Sequence, residues 1–178
     1  MVDLISERST DFDIGALFAA LDGQRQARGM SWQQVVRDIN ALFENVPAQP
    51  ISVSTVTGMR NREAIEGDGV LQMLRWLKRA PESFVPGYPE AAAETLALPD
   101  VGPHQILRFD TRELYTALDA QRIARGMTWK QVASEIGGFS AASLTRFAMG
   151  GRTGFPQVMR ITGWLRRPAV SFVRVSNR

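Results

Sequence analysis

The segment TWKQVASEIGGFSAASLTRFAMGG, residues 128–151, carries the clearest folding pattern of the chain. Thr128 can cap a helix that runs from Trp129 to Ile136, and this helix keeps its apolar side chains on one face before a glycine pair ends it. Ser140 can then cap a second helix that extends to about residue 149, where another glycine pair follows. The segment therefore predicts two short helices joined by a tight, glycine-containing turn.

Two further helices flank this pair. Asp110, with Glu113 three residues later, resembles a capping box and predicts a helix that ends at Gly126. The predicted apolar stripe of that helix consists of Leu114, Leu118 and Ile123. Pro156 suits the first turn of the last helix, and Pro168 ends it. We therefore expect an all-α unit of four helices.

The chain contains this unit twice. GMTWKQVASEI (residues 126–136) lies over GMSWQQVVRDI (residues 29–39) at an offset of 97, and WLRRPAVSFV (residues 164–173) lies over WLKRAPESFV (residues 76–85) at an offset of 88. The change of offset gives the first copy nine extra residues, which are best placed around residues 41–49. An internal duplication of this kind divides a chain into matched structural units.

A proline-rich linker separates the two copies. Five of the nine prolines fall in residues 81–105, where they block a continuous helix, although residues 89–98 suit one short helix. We therefore expect two small tandem domains. Repeat 1 is residues 1–85, with its insertion near the turn, residues 86–108 form a flexible linker, and repeat 2 is residues 109–178.

Charge is divided unevenly between the copies. Repeat 2 holds 11 basic and 4 acidic residues, a net charge of +7, and no acidic residue follows Glu135. Residues 1–108 hold 10 basic and 14 acidic residues, a net charge of −4. A basic stretch of this kind favours a polyanionic partner, with an ordinary solvated face as the alternative interpretation.

Composition excludes several other classes of protein. The chain has no cysteine and only one histidine, His104, so disulfides, thiolate metal sites and histidine clusters are excluded. It has no phosphate-binding glycine loop, nucleophile elbow or metal-ligand spacing, so we expect no enzyme, no metal and no cofactor. The acidic N-terminus is unlike a signal peptide, and no run approaches the ~18 apolar residues of a membrane span. We therefore expect a cytoplasmic protein without membrane contact.

The two central helices resemble the helix-turn-helix of the lambda-repressor/Cro-type (XRE family) DNA-binding proteins. The resemblance consists of the capped start, Val132 and Ala133, the glycine in the turn, the Ser140 cap and the glycine-rich exit. It covers most of repeat 2 and, more weakly, repeat 1. This chain departs from the family in having Trp32 and Trp129 where a phosphate-binding glutamine usually follows the cap, and in a turn one residue longer.

The resemblance implies that the second helix of each pair reads DNA bases. In repeat 2 the implied DNA-binding residues are Lys130, Gln131, Ser140, Ala141, Ala142, Ser143, Thr145, Arg146 and Arg152. Arg146 is the candidate for bidentate contact with guanine, while Lys130 and Arg152 are the candidates for phosphate. The corresponding residues of repeat 1 are Ser52, Val53, Ser54, Thr55, Arg60, Asn61 and Arg62.

The sequence thus predicts a sequence-specific, double-stranded DNA-binding transcriptional regulator of bacterial, phage or mobile-element type, acting as a repressor. We expect repeat 2 to contact one strong DNA element. Two interpretations of residues 1–108 remain open, namely a weaker second half-site or a surface for a homodimer or another protein. The alternative for the whole chain is a protein-interaction adaptor that keeps helix-turn-helix domains without reading DNA.

Overall fold

A computed structural model of the chain describes residues 11–178. In that range the protein is mostly helical, with nine α-helices and two small two-stranded sheets. The helices are α1 (Ile14–Ala27), α2 (Trp32–Ala41), α3 (Val53–Gly58), α4 (Gly67–Leu77), α5 (Glu90–Glu94), α6 (Thr111–Ala124), α7 (Trp129–Ile136), α8 (Ala141–Thr145) and α9 (Gln157–Leu165). The strands are β1 (Ile65–Glu66), β2 (Ile106–Phe109), β3 (Gly154–Phe155) and β4 (Val173–Ser176).

The predicted caps at the starts of α7 and α8 are confirmed, as is the predicted end of α7. Thr128 accepts a hydrogen bond from the backbone of Gln131 at the start of α7, and Ser140 accepts one from Ser143 at the start of α8. Gly137 ends α7 with φ +74°, a left-handed conformation that suits glycine. The predicted helix after Ser140 is shorter than expected, because α8 ends at Thr145 and a 3-10 turn, Arg146–Met149, completes it.

The predicted burial of Ile123 on α6 is wrong. Leu114 and Leu118 are fully buried, but Ile123 is 63% exposed. Side chains one turn apart along a helix share a face, and residue 123 lies five positions after Leu118. Ile123 therefore lies on the outer side of α6.

A local two-fold axis relates the two copies. β1 and β3 pair antiparallel, with Glu66 opposite Gly154. These two residues are equivalent in the duplication, since they are 88 positions apart. Gly67 N donates a hydrogen bond to Thr153 O at 2.8 Å, and a Cβ at Gly67 would lie only 2.7 Å from that oxygen. The close approach of the two copies therefore requires glycine at position 67.

Each copy also packs its N-terminal segment on the last core helix of the other. Arg160 on α9 forms an ion pair with Asp11, with Nη2 and Oδ2 2.6 Å apart. The equivalent residues are Gln72 on α4 and Arg108 on β2. Gln72 donates a hydrogen bond to the backbone of β2 at 2.7 Å, and Arg108 forms an ion pair with Asp68 of α4 at 2.9 Å. The exchange is reciprocal, as a two-fold relation requires.

The two predicted domains share one hydrophobic core. Phe155 of β3 is fully buried, and its ring centroid lies 4.5 Å from that of Phe12 and 5.6 Å from that of Phe109. Glu82 is buried between the copies, where its carboxylate accepts a hydrogen bond from Ala169 N at 2.6 Å. The repeats therefore fold against each other rather than as separate units. Residues 1–10 of predicted repeat 1 lie outside the described range.

Residues 86–108 are not a flexible linker. The short helix predicted there is confirmed as α5, and Ala93 on it is buried. The Arg75 guanidinium donates hydrogen bonds to the carbonyls of Val101, Gly102 and Gln105. The last residues of the segment enter β2, which pairs with β4. Prolines prevent a long helix here, but the apolar residues between them still pack on the core.

Candidate nucleic-acid interface

The start of α8 is presented at the surface of repeat 2. A four-residue turn, 137–140, separates α8 from α7, and the two helices pack together through the fully buried Leu144. Ser140 and Ala142 are exposed, and Ala141, Ser143 and Thr145 are half-buried. A helix start leaves backbone N–H groups without intrahelical acceptors, so this end of α8 favours contact with an acceptor or an anion.

Several of the predicted contact residues have their polar groups engaged within the helix pair. Ser140 and Ser143 form a reciprocal capping box, and Gln131 closes the equivalent box at the start of α7. The Thr145 hydroxyl donates a hydrogen bond to Ala141 O at 3.1 Å. These side chains therefore shape the two helix starts.

The predicted cations are the side chains left unengaged. Lys130, Arg146 and Arg152 are exposed, and among residues 11–178 no carboxylate lies within ion-pair distance of any of them. Lys130 lies in the first turn of α7, Arg146 directly follows α8, and Arg152 lies in the loop before β3. In the chain, one of these three cations thus precedes the turn between the helices and two follow α8.

Repeat 1 keeps the capped helix but not these charges. Ser52 caps α3 through a hydrogen bond from Thr55 N at 3.1 Å, as Ser140 caps α8. The positions equivalent to Lys130, Arg146 and Arg152 hold, in that order, Gln33, Gly58 and Ala64.

The other predicted residues of repeat 1 differ in their surroundings. The Arg60 guanidinium lies over the Phe18 ring, 5.1 Å from its centroid, so it packs on its own domain. Ser54, Asn61 and Arg62 are exposed, and Val53 and Thr55 are half-buried. Arg62 follows α3 by four residues. Unlike Arg60, it packs on no aromatic ring in the described part of the chain.

The nine extra residues of repeat 1 form a loop that leaves α3 intact. Phe43 and Val46 bury the loop against the core. The Asn40 side chain then closes it by donating to Ile51 O at 2.9 Å and accepting from Ile51 N at 2.8 Å. These two hydrogen bonds, the Asn40 clamp, return the chain to the Ser52 cap. In repeat 2 the short turn places Ser140 at the equivalent position.

Removal of the clamp should destabilise repeat 1. We expect Asn40→Ala to lower the free energy of unfolding by about 1–3 kcal/mol, because it leaves the Ile51 backbone groups without their partners. The measurement is chemical denaturation followed by circular dichroism. Asn45→Ala, an exposed change in the same loop, is the matched control. Equal stability of the two variants would contradict the role given to Asn40.

Trp129 and Trp32, which directly follow the caps of α7 and α2, pack within their own repeats. Trp129 stacks on Tyr115 with ring centroids 5.4 Å apart, and the Arg122 guanidinium lies 5.0 Å from its ring centroid. Trp32 stacks in the same way on Phe18, beneath Arg25. Both arginines also form an ion pair at 2.7 Å with the aspartate three residues earlier, Asp119 or Asp22.

Glu135 has a structural role that the sequence pattern missed. It forms an ion pair with Arg125 at 2.9 Å and accepts a hydrogen bond from Trp164 Nε1 at 2.9 Å. The hydrogen bonds from Trp164 and Arg125 hold the pKa of the Glu135 carboxyl below its usual range. Arg125 and Trp164 of the same repeat thus bind Glu135, the last acidic residue of the chain.

A second cluster of cations was also missed. Arg108, Arg112, Arg174 and Arg178 line a cavity of about 590 Å³ together with Arg152. The cluster draws on three separate segments of the chain, namely the β2–α6 junction, the loop before β3, and β4. No local spacing in the sequence signals it.

Comparison with models of protein families, with characterised proteins and with solved structures gives no match. Between residues 11 and 178, no helix is both long and apolar enough to cross a membrane. The same residues contain no group of three or more His, Asp or Glu side chains placed to hold a metal ion.

Proposed function

We propose that this protein binds double-stranded DNA sequence-specifically through helix-turn-helix elements of the lambda-repressor type and represses transcription. The observation that carries the proposal is the capped, surface-exposed start of α8, flanked in the chain by the exposed cations Lys130, Arg146 and Arg152, none of which has an acidic partner in the described chain. In this assignment α7 and α8 are the helix-turn-helix of repeat 2, and α2 and α3 are that of repeat 1.

The roles of the side chains follow from their positions and chemistry. Lys130 and Arg152 bind backbone phosphates, which set the position of the domain on the duplex without selecting sequence. Arg146 contacts a guanine, because a guanidinium can donate two parallel hydrogen bonds to O6 and N7 in the major groove. Ala142 offers a small apolar contact to a thymine methyl. Occupation of the operator by the protein then blocks transcription.

The two-fold relation of the repeats supports a site with two related halves. Equivalent elements related by a two-fold axis match half-sites that recur about one helical turn, or roughly 10 base pairs, apart. The half-sites are unequal in strength, because repeat 1 has Gly58 and Ala64 where repeat 2 has Arg146 and Arg152. We therefore propose an imperfect palindrome whose stronger half is read by repeat 2.

Selection of duplexes from a random pool with the full chain tests this function. We expect a motif with one well-defined half and one weaker half. Arg146→Ala should weaken binding to that motif by about 1–3 kcal/mol and relax the preference at one or two positions of the stronger half.

Arg166→Asn is the matched control, since Arg166 is exposed at the far end of α9 with φ +53°, which asparagine tolerates. It should leave the motif unchanged. An unchanged motif and affinity in Arg146→Ala would remove α8 from the role of recognition helix. Failure of the full chain to select any duplex would favour the adaptor function instead.

A further inference from the structure

The arginine-lined cavity lies where three segments of repeat 2 meet. The start of α6 contributes Arg112, the loop before β3 contributes Arg152, and β4 contributes Arg174. The cavity has a volume of about 590 Å³, and no residue of α8 lines it. Such a concentration of like charge is unfavourable unless a counter-charge occupies the space between the guanidinium groups.

The two side-chain carboxylates that line the cavity, Asp68 and Asp110, do not supply that counter-charge. Asp68 is engaged by Arg108, at 2.9 Å, and by the backbone N of Phe109, at 3.1 Å. Asp110 is the cap of α6 and accepts a hydrogen bond from Glu113 N at 3.0 Å. Within residues 11–178, neither carboxylate forms an ion pair with Arg112, Arg152 or Arg174.

The loop that carries Arg152 is tied to the start of α6, next to Arg112. The Thr111 hydroxyl donates a hydrogen bond to Gly151 O at 2.7 Å, which ties the loop to the helix. A Cβ at Gly150 would lie 2.9 Å from Arg112 Nε, so the absence of a side chain there lets the guanidinium lie against the loop. The first turn of α6 adds backbone N–H groups without intrahelical acceptors.

We propose that Arg112, Arg152 and Arg174 bind a phosphate group in this cavity. Guanidinium groups match the oxygens of phosphate in geometry and charge, and several of them converge here from different segments. The phosphate belongs either to the DNA backbone or to a free phosphorylated molecule. The DNA source rests on the proposed function, whereas binding of the free anion does not.

A neighbouring cavity extends the basic surface toward repeat 1. Arg108 and Arg152 also line this second cavity, of about 430 Å³, together with Arg62, Ser52 and Thr55. Arg108 and Arg152 are therefore common to both cavities, and Arg62 adds a cation of repeat 1 to the second. A nucleic-acid backbone carries a phosphate at every nucleotide, so two adjoining cavities that share cations suit it better than they suit a single small anion.

The test measures binding of pyrophosphate to the full chain by calorimetry in a phosphate-free buffer. We compare the native protein with the double variant Arg112→Gln, Arg174→Gln and with the control Arg166→Asn. Circular dichroism verifies that each variant is folded. We expect the double variant to bind pyrophosphate at least about tenfold more weakly, because two of its three charge-assisted contacts are lost, and the control to bind it like the native chain.

A second arm measures binding of the same proteins to the selected duplex. If the cavity holds a backbone phosphate, the double variant binds DNA at least about tenfold more weakly and its log-log salt slope falls by about 1, since one phosphate contact is lost. If pyrophosphate binding falls and DNA binding does not, the cavity holds a free phosphorylated molecule.

The two proposals can fail separately. Pyrophosphate binding that depends on Arg112 and Arg174 in a protein that binds no DNA supports the cavity and defeats the proposed function. Native affinity of the double variant for both pyrophosphate and DNA overturns the cavity proposal. Absence of pyrophosphate binding in every protein overturns it as well, unless the double variant loses DNA affinity, which supports the backbone source.

Discussion

Phe155→Ala should lower the free energy of unfolding of the whole chain by about 3–5 kcal/mol, the range for truncation of a fully buried phenylalanine. Phe155 is fully buried, and it packs between Phe12 of one repeat and Phe109 at the start of the other. The lost ring leaves a cavity at the junction of the two copies. The substitution therefore weakens both repeats together.

Urea denaturation followed separately by tryptophan fluorescence and circular dichroism measures this effect. Because the repeats share one core, we expect a single transition with the same midpoint by both probes. Ile123→Ala is the control, since that side chain is 63% exposed and its truncation should change stability by less than about 0.5 kcal/mol. Two separate transitions, or equal losses in the two variants, would contradict a shared core.

The affinity of the full chain for its selected duplex should fall steeply with salt. Neutralisation of about four to six phosphates gives a log-log slope near −4 to −5, which corresponds to a loss of about 250- to 1,000-fold between 50 and 200 mM salt. The physical reason is the release of counterions from the DNA by repeat 2, whose net charge is +7.

Individual substitutions test which cations contribute to that slope. Lys130→Gln and Arg152→Gln should each reduce it by about 1 and weaken binding to all duplexes alike, since phosphate contacts carry no sequence information. Arg166→Asn removes the same charge from the C-terminal end of α9 and should leave the slope near the native value. Binding that does not respond to salt would exclude the phosphate contacts assigned to Lys130 and Arg152.

The structure also shows that the binding experiments require the full chain rather than a fragment of repeat 2. The sequence predicts that residues 109–178 form a domain of their own, and a fragment cut at residue 108 would then be the natural test protein. Such a fragment loses Ile65, the partner of Phe155 in the strand pair, and all of β2 except Phe109, so β4 loses its partner strand. The fragment exposes apolar surface that the full chain buries, so binding is measured on the full chain.

Local features of this protein were predictable from the sequence alone. The caps at Thr128 and Ser140, the glycine that ends α7, and the bounds of α7 at Trp129 and Ile136 all follow from residues within one or two turns of each other. Because the chain contains the unit twice, the caps of one copy can be compared with those at the equivalent positions of the other. The nine-residue insertion was placed correctly for the same reason, since α3 resumes at the equivalent cap, Ser52. The DNA-contact residues remain a prediction.

Only the tertiary structure decided how the copies join. β1 and β3 are two residues long, too short to show any periodicity, and they pair across more than 80 positions of the chain. The arginine cavity likewise combines three distant segments. Caps, turns and apolar stripes depend on neighbouring residues and are therefore visible in the sequence. Pairing across the two-fold axis and convergence of charges depend on which surfaces the shared core brings together.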